Sequence, residues 1–170
     1  MSDWMFEDSV MTEIPEDALG FVYMIRHVPS GRGYIGKKLF FFKSQRQVKG
    51  KKKSVLVESD WRKYYSSSDE LKALVKTDGE EAFTRTVLHI CYTKGMMSYL
   101  EAKEQFIRGV LEDGENWING QIQCRVHHSH IKWGPPVEKT PKKSQADSSA
   151  AKSPSKSSAS PKVKAKSCTA

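Results

Sequence analysis

One stretch of this chain lacks acids, another lacks bases, and none of it carries an apolar run of membrane length. No run of roughly 18 apolar residues occurs, which is about what a spanning helix needs, so no membrane partner is expected. Residues 1–19 hold Asp3, Glu7, Asp8, Glu13, Glu16 and Asp17 but no Lys or Arg. That is the reverse of the basic start of a signal or transit peptide. The three cysteines, Cys91, Cys124 and Cys168, are odd in number and far apart. No disulfide framework is implied, and a reducing, cytoplasmic setting is expected. Between Gly134 and Ala170 the only branched apolar residues are Val137 and Val163, among Ser, Lys, Ala and Pro. Such a segment cannot bury enough surface to offset its ordering entropy, so residues 134–170 read as a disordered basic tail.

What remains suffices for one core. Hydrophobic residues make up 38% of the chain and aromatics 10%, which predicts a single domain over 18–133 behind an acidic lead-in at 1–17. The net charge of +8 is unevenly placed. The tail sets eight lysines against Glu138 and Asp147. Residues 37–53 contain Lys37, Lys38, Lys43, Arg46, Lys49, Lys51, Lys52 and Lys53 with no acid at all. These cations repel one another unless a polyanion is near, which points to a phosphate backbone and a nucleic-acid partner. An exposed basic loop without a partner is the plainer alternative, and the second basic element, the tail, weighs against it.

The coarse pattern is α+β. Gly20–Val28 and Tyr34–Phe42 are rich in β-branched and aromatic residues and flank a turn with Gly31 and Gly33, predicting a hairpin. Ser68 or Asp69 starts a helix that Gly79 ends, with Leu71, Leu74 and Val75 at helical spacing. Ala82–Tyr92 reads as a third strand, with Phe83, Val87, His89 and Cys91 on one side. A long helix is predicted over Met96–Leu111, a turn over Asn116–Gly120 and a short last strand over Gln121–Val126. The order β-β-α-β-α-β gives a small mixed or antiparallel sheet flanked by helices.

The hairpin brings Tyr23 and Tyr34 onto adjoining strands. A phenol of pKa about 10 needs a nearby cation or metal to act as a base at neutral pH, and Lys37, Lys38 and Arg46 lie close in sequence. Taken alone, two strand tyrosines are more simply core residues with satisfied hydroxyls, and the long helix is what raises the functional reading. On the long helix Leu100, Ile107 and Leu111 form an apolar stripe, with Glu104 inside it and Glu101 on its flank. A carboxylate on such a stripe must be paired or must hold a cation, which makes Glu104 the candidate ligand for Mg²⁺. His127, His128 and His130 with Cys124 suggest zinc, but only Cys91 is left to complete a set of four, so a solvated basic end is preferred.

Taken in order, these segments resemble one family. Gly20-Phe-Val-Tyr23 followed by Tyr34-Ile-Gly36 is similar to the paired signature of the GIY-YIG nuclease superfamily. Tyr64–Leu71, Tyr99–Phe106 and Trp117–Gly120 resemble its later elements, and the likeness extends over roughly 18–130. Within the superfamily the chain most resembles free-standing phage homing endonucleases of the Seg type. The resemblance implies phosphodiester hydrolysis of double-stranded DNA with Mg²⁺ or Mn²⁺ and no small-molecule cofactor, in the cytoplasm of an infected cell if phage-encoded. It implies Tyr23 beside the attacking water, Tyr34 at the scissile phosphate, Glu104 at the metal and Asn119 as a brace. An arginine after the second strand is also implied. Arg46 is the one present there, with Arg62 as the fallback. Glu104 lies 15 residues before Asn119, a separation similar to that in related enzymes, which favours it over Glu101. The chain departs from the family in reading Phe-Val-Tyr after the first glycine and in having Ser66 where related sequences tend to have glycine. A catalytically silent DNA-binding protein, or a nuclease directed at RNA or branched structures, would share these features.

Overall fold

The computed structural model describes residues 3–48 and 51–135. Among the described residues seven strands and two α-helices run in chain order. They are strands β1 (Trp4–Phe6), β2 (Ser9–Val10), β3 (Gly20–His27), β4 (Gly33–Leu39), β5 (Phe41–Val48) and β6 (Lys51–Glu58), helix α1 (Asp69–Asp78), strand β7 (Phe83–Cys91) and helix α2 (Lys94–Ile107). The α+β class holds. Five strands form a mixed sheet in the order β2-β1-β7-β3-β4, while β5 and β6 pair only with each other. Neighbouring strands of the five are antiparallel except β1 and β7, which are parallel.

Both faces of the sheet are covered. Phe21, Tyr23 and Ile25 of β3 face one core with Trp4, Phe40, Trp61, Leu71 of α1 and Phe83. Val22 and Ile35 face the other, against Met97 and Leu100 of α2 and Val110. The caps are local. Ser68 accepts a hydrogen bond from the Leu71 N–H and Thr93 from the Met96 N–H, which starts α1 and α2 respectively. Gly79, at φ 81°, closes α1 in a conformation that glycine tolerates best.

Several expectations are corrected. Residues 3–17 are not a lead-in outside the domain, because Trp4 is 2% exposed and its strand extends the sheet beside β7. The basic stretch contributes β5 and β6 rather than a loop. A register shift opposite Val22 and Tyr23 breaks the alternation of β7, so Val87 joins one core while Cys91 joins the other and His89 meets α2. Helix α2 stops at Ile107 because Gly109 turns to φ 57° and the Val110 N–H bonds back to the Gln105 carbonyl. Ile107 is therefore 67% exposed and Leu111 52%, so of the stripe drawn through Leu100, Ile107 and Leu111 only Leu100 faces the core. Gln121–Val126 forms no strand. Almost all of the expected tail, and Lys49, lie outside the described residues.

Candidate active site

The outer edge of the sheet is β4, and a cleft of about 570 Å³ opens beside it. Tyr34 and Lys37 come from β4, Ser67 from the segment before α1, Glu101 and Gln105 from α2, and Asn119 from the chain after it. Strand alternation explains the β4 pair. Ile35 and Leu39 lie with the α2 core and bring Lys37 to that side, whereas Tyr34 lies against the other core.

Asn119 is 8% exposed and holds this edge together. Its Oδ1 accepts a hydrogen bond from the Ile35 N–H at 2.9 Å, and its Nδ2 donates to the Ile35 carbonyl at 2.7 Å. The side-chain amide thus stands where a further strand would pair, satisfying both backbone groups of an edge residue. Gln105 Nε2 donates to the same carbonyl at 3.3 Å. Ser66, where glycine was the family's tendency, is buried and accepts from the Ser68 N–H at 2.8 Å, which shapes the turn leading to Ser67.

The two tyrosines are adjacent but unequal. Their ring centroids are 6.3 Å apart, and Tyr64 stands edge-on to Tyr23 at 6.1 Å. Tyr23 is 1% exposed, and burial, with Tyr64 and Tyr34 beside it, pushes its phenol well above its ordinary value. Tyr34 lines the cleft. Its hydroxyl lies 3.3 Å from Ser67 Oγ, and burial raises its pKa against the opposing pull of that hydrogen bond. Both phenols are therefore protonated at neutral pH in the free protein.

On α2 the cleft receives Glu101, not the expected Glu104. Lys37 Nζ lies 2.8 Å from the Glu101 carboxylate and 3.1 Å from Ser98 Oγ. Burial raises the Glu101 pKa and the Lys37 ammonium opposes that rise. Glu104 points instead to His89 of β7, whose Nε2 is 2.6 Å away, and to the guanidinium of Arg108. The three-residue step from Glu101 to Glu104 turns about 60° around the helix, enough to move a side chain off the cleft. Burial, then Lys103 and Arg108, lowers the His89 pKa.

The remaining candidates are dispersed. Arg62 donates to the Thr12 carbonyl at 2.6 Å and covers the Trp61 ring, so it is committed to the N-terminal segment. Lys38 pairs with Asp60 at 2.6 Å and lies over the Tyr64 ring. Lys43 and Lys53 are exposed on β5 and β6; Arg46, Lys51 and Lys52 occupy backbone positions there, and their side chains lie outside the described residues. His127 and His130 cap one short turn against each other, and among the described residues no three His, Cys, Asp or Glu side chains converge. Cys91 is buried, which pushes its thiol up to about 12.

Sequence reasoning missed the Lys37–Glu101 pair and Gln105. The signal for them was present, since Glu101 and Gln105 are one helical turn apart and Lys37 stands two residues from Ile35, on the same face of the strand.

Residues 4–122 match a family model described as "Putative endonuclease segE, GIY-YIG domain". No curated protein and no solved structure matches the chain. The family match begins at Trp4, in agreement with the place of that residue in the sheet. It spans well over half of the sequence and includes every residue that lines the cleft up to Gln121, so the chain belongs to the SegE-type GIY-YIG endonuclease family.

Proposed function

We propose that this nuclease is a Mg²⁺- or Mn²⁺-dependent endonuclease of double-stranded DNA, of the phage homing type, with its reaction in the β4-edge cleft. One observation carries the reading: Glu101, a hard oxygen donor, faces this open cleft together with a cation, Lys37, and the Tyr34 hydroxyl. Mg²⁺ is commonly held by one or two carboxylates plus substrate phosphate oxygens, so a single cleft carboxylate fits that ion. When bound, the ion supplies Lewis-acid polarisation of a phosphoryl oxygen.

The protein's own groups do the rest. Lys37 favours the ionised form of Glu101 against its burial and brings positive charge to the scissile phosphate. Tyr34, protonated at neutral pH, donates a hydrogen bond to a phosphate oxygen or to the attacking water. Tyr23 backs Tyr34 and fixes its ring, because its own ring is enclosed. Asn119 and Gln105 act as positioning residues through Ile35. Lys37 is the cation of the cleft.

The test is cleavage of several unrelated duplex DNAs, including phage genomes, with Mg²⁺, Mn²⁺ or EDTA. Glu101→Gln and Tyr34→Phe are each expected to lower the metal-dependent rate by about 10²-fold or more, the scale of losing one electrostatic group at a reacting centre. Glu104→Gln is expected to retain most of it. Full cutting by Glu101→Gln would overturn the site assignment. Tight binding with no cutting of any DNA would make the protein a silent binder.

A further inference from the structure

Strands β5 and β6 form a two-stranded ribbon apart from the main sheet, with eight residue pairs in register from Phe41↔Glu58 to Val48↔Lys51. An isolated hairpin of this kind is marginal in water unless something covers it. Along β5 and β6 the exposed residues include Phe42, Lys43, Gln45, Gln47, Lys53, Ser54, Val55 and Leu56. Between Phe41 and Glu58 the sequence holds six Lys and Arg against the single acid Glu58, and like charges gathered on one ladder weaken it. A polyanion would relieve that opposition, and the ribbon's dimensions limit which polyanion can do so. Two paired strands fit the major groove of B-form DNA, about 12 Å wide. Eight residues at about 3.4 Å each give roughly 25 Å of ribbon to lie along it. The deep, narrow major groove of A-form RNA does not admit such a ribbon.

The pleat sorts the side chains. Lys43, Gln45 and Gln47 share one face with Leu56 and Ser54, the cross-strand partners of the first two. That face sets the cation Lys43 and the apolar Leu56 beside two amides and a hydroxyl, groups that hydrogen-bond to base edges, and glutamine can grip adenine through N6 and N7. The ribbon also starts beside the cleft, since Phe42 at its root and Lys37 line one surface depression. One duplex can therefore meet both.

We infer that the β5–β6 ribbon enters the major groove of B-form DNA and reads base edges through Gln45, Gln47 and Ser54, so that target preference resides within the nuclease domain. This rests on the DNA part of the proposed function but not on cleavage.

The full chain, kept in EDTA, would be used to select from a randomised DNA duplex pool, and the selected duplex remade with 7-deazapurines, which lack the major-groove N7. A shared motif is expected, with binding weakened about tenfold or more by the deaza substitution and with duplex RNA of the same sequence bound at least tenfold more weakly. The double variant Gln45→Ala/Gln47→Ala is expected to keep its melting temperature and its weak, salt-sensitive binding while losing the motif. No enriched motif, a motif unchanged in the variant, equal affinity for RNA, or a change of oligomeric state in the variant would each overturn the inference. Adding Mg²⁺ to the selected duplex then tests cleavage separately. Failure there removes the nuclease reading and leaves the ribbon result standing.

Discussion

A Cβ built on Gly36 would stand 2.5 Å from the Tyr23 hydroxyl oxygen and 2.9 Å from Tyr34 Cε1. Glycine is required here by the close approach of two rings to the strand, not by backbone conformation. Gly36→Ala must displace one or both tyrosines, an overpacking change that typically costs about 1–3 kcal/mol. The expected outcome is a melting temperature lower by several degrees, with DNA cleavage reduced further than the lost stability accounts for. Circular dichroism melts beside cleavage rates below the melting range would check it. An unchanged rate would mean that the Tyr23–Tyr34 arrangement is not used in the reaction. The tyrosine pair was legible in the sequence from the hairpin and the family signature, and Asn119 from the family resemblance alone. Glu101 was legible only as the second choice after Glu104, because its neighbourhood depends on where α2 ends. The apolar residues Ile107 and Leu111 pulled the expected core face around the helix, and only the turn at Gly109 shows that they lie beyond it.

The elements that could be read in advance are those whose signals are local. Strands β3, β4 and β7 are dense in β-branched and aromatic residues, and Ser68 and Gly79 bracket α1. Strand β1 has three residues, sits among acids and pairs with a strand some 80 positions away, so nothing local announces it. Its anchor is Trp4. The indole packs edge-on against Phe21 at 5.1 Å and Tyr23 at 5.2 Å, and its Nε1–H donates to the Trp61 carbonyl at 2.8 Å. The Arg85 guanidinium lies 4.8 Å from its ring centroid. Trp4→Ala is expected to destabilise the fold by about 3–5 kcal/mol, the usual cost of truncating a buried large aromatic. Urea titration would measure this, and a loss below about 1 kcal/mol would show that β1 is dispensable to the domain. The opposite error, the strand expected at Gln121–Val126, has a physical cause at the same sheet edge. Residues 116–118 already bond to Gly33, and the Asn119 amide already takes the free groups of Ile35. The edge groups of Gly33 and Ile35 are therefore already taken where a further strand would pair.

Charge is arranged over the whole chain rather than within any one element. Six acids precede Ala18 without a base, eight cations lie between Lys37 and Lys53 without an acid, and eight lysines follow Gly134 against two acids. On a nucleic acid the two basic regions have different tasks. The ribbon is a paired structure of fixed register that can discriminate between sites, whereas a Lys/Ser/Pro/Ala segment offers charge without base contacts. Each phosphate neutralised steepens the dependence of log K on log salt by about 0.9 on duplex DNA. Truncation after Trp133 should therefore make that slope shallower by several units and weaken binding at low salt, while the motif selected from a randomised pool stays the same. Trp133 is kept because its ring meets Tyr99 at 6.3 Å, and Tyr99 belongs to α2. The melting temperature should be nearly unchanged, because the removed segment has too few apolar residues to contribute to a core. Fluorescence anisotropy from 50 to about 300 mM salt, in EDTA, gives the slope directly. A large drop in melting temperature would place residues 134–170 within the fold. An unchanged slope would assign all the phosphate contacts to the nuclease domain, and the ribbon and Lys37 would then have to account for the whole salt dependence.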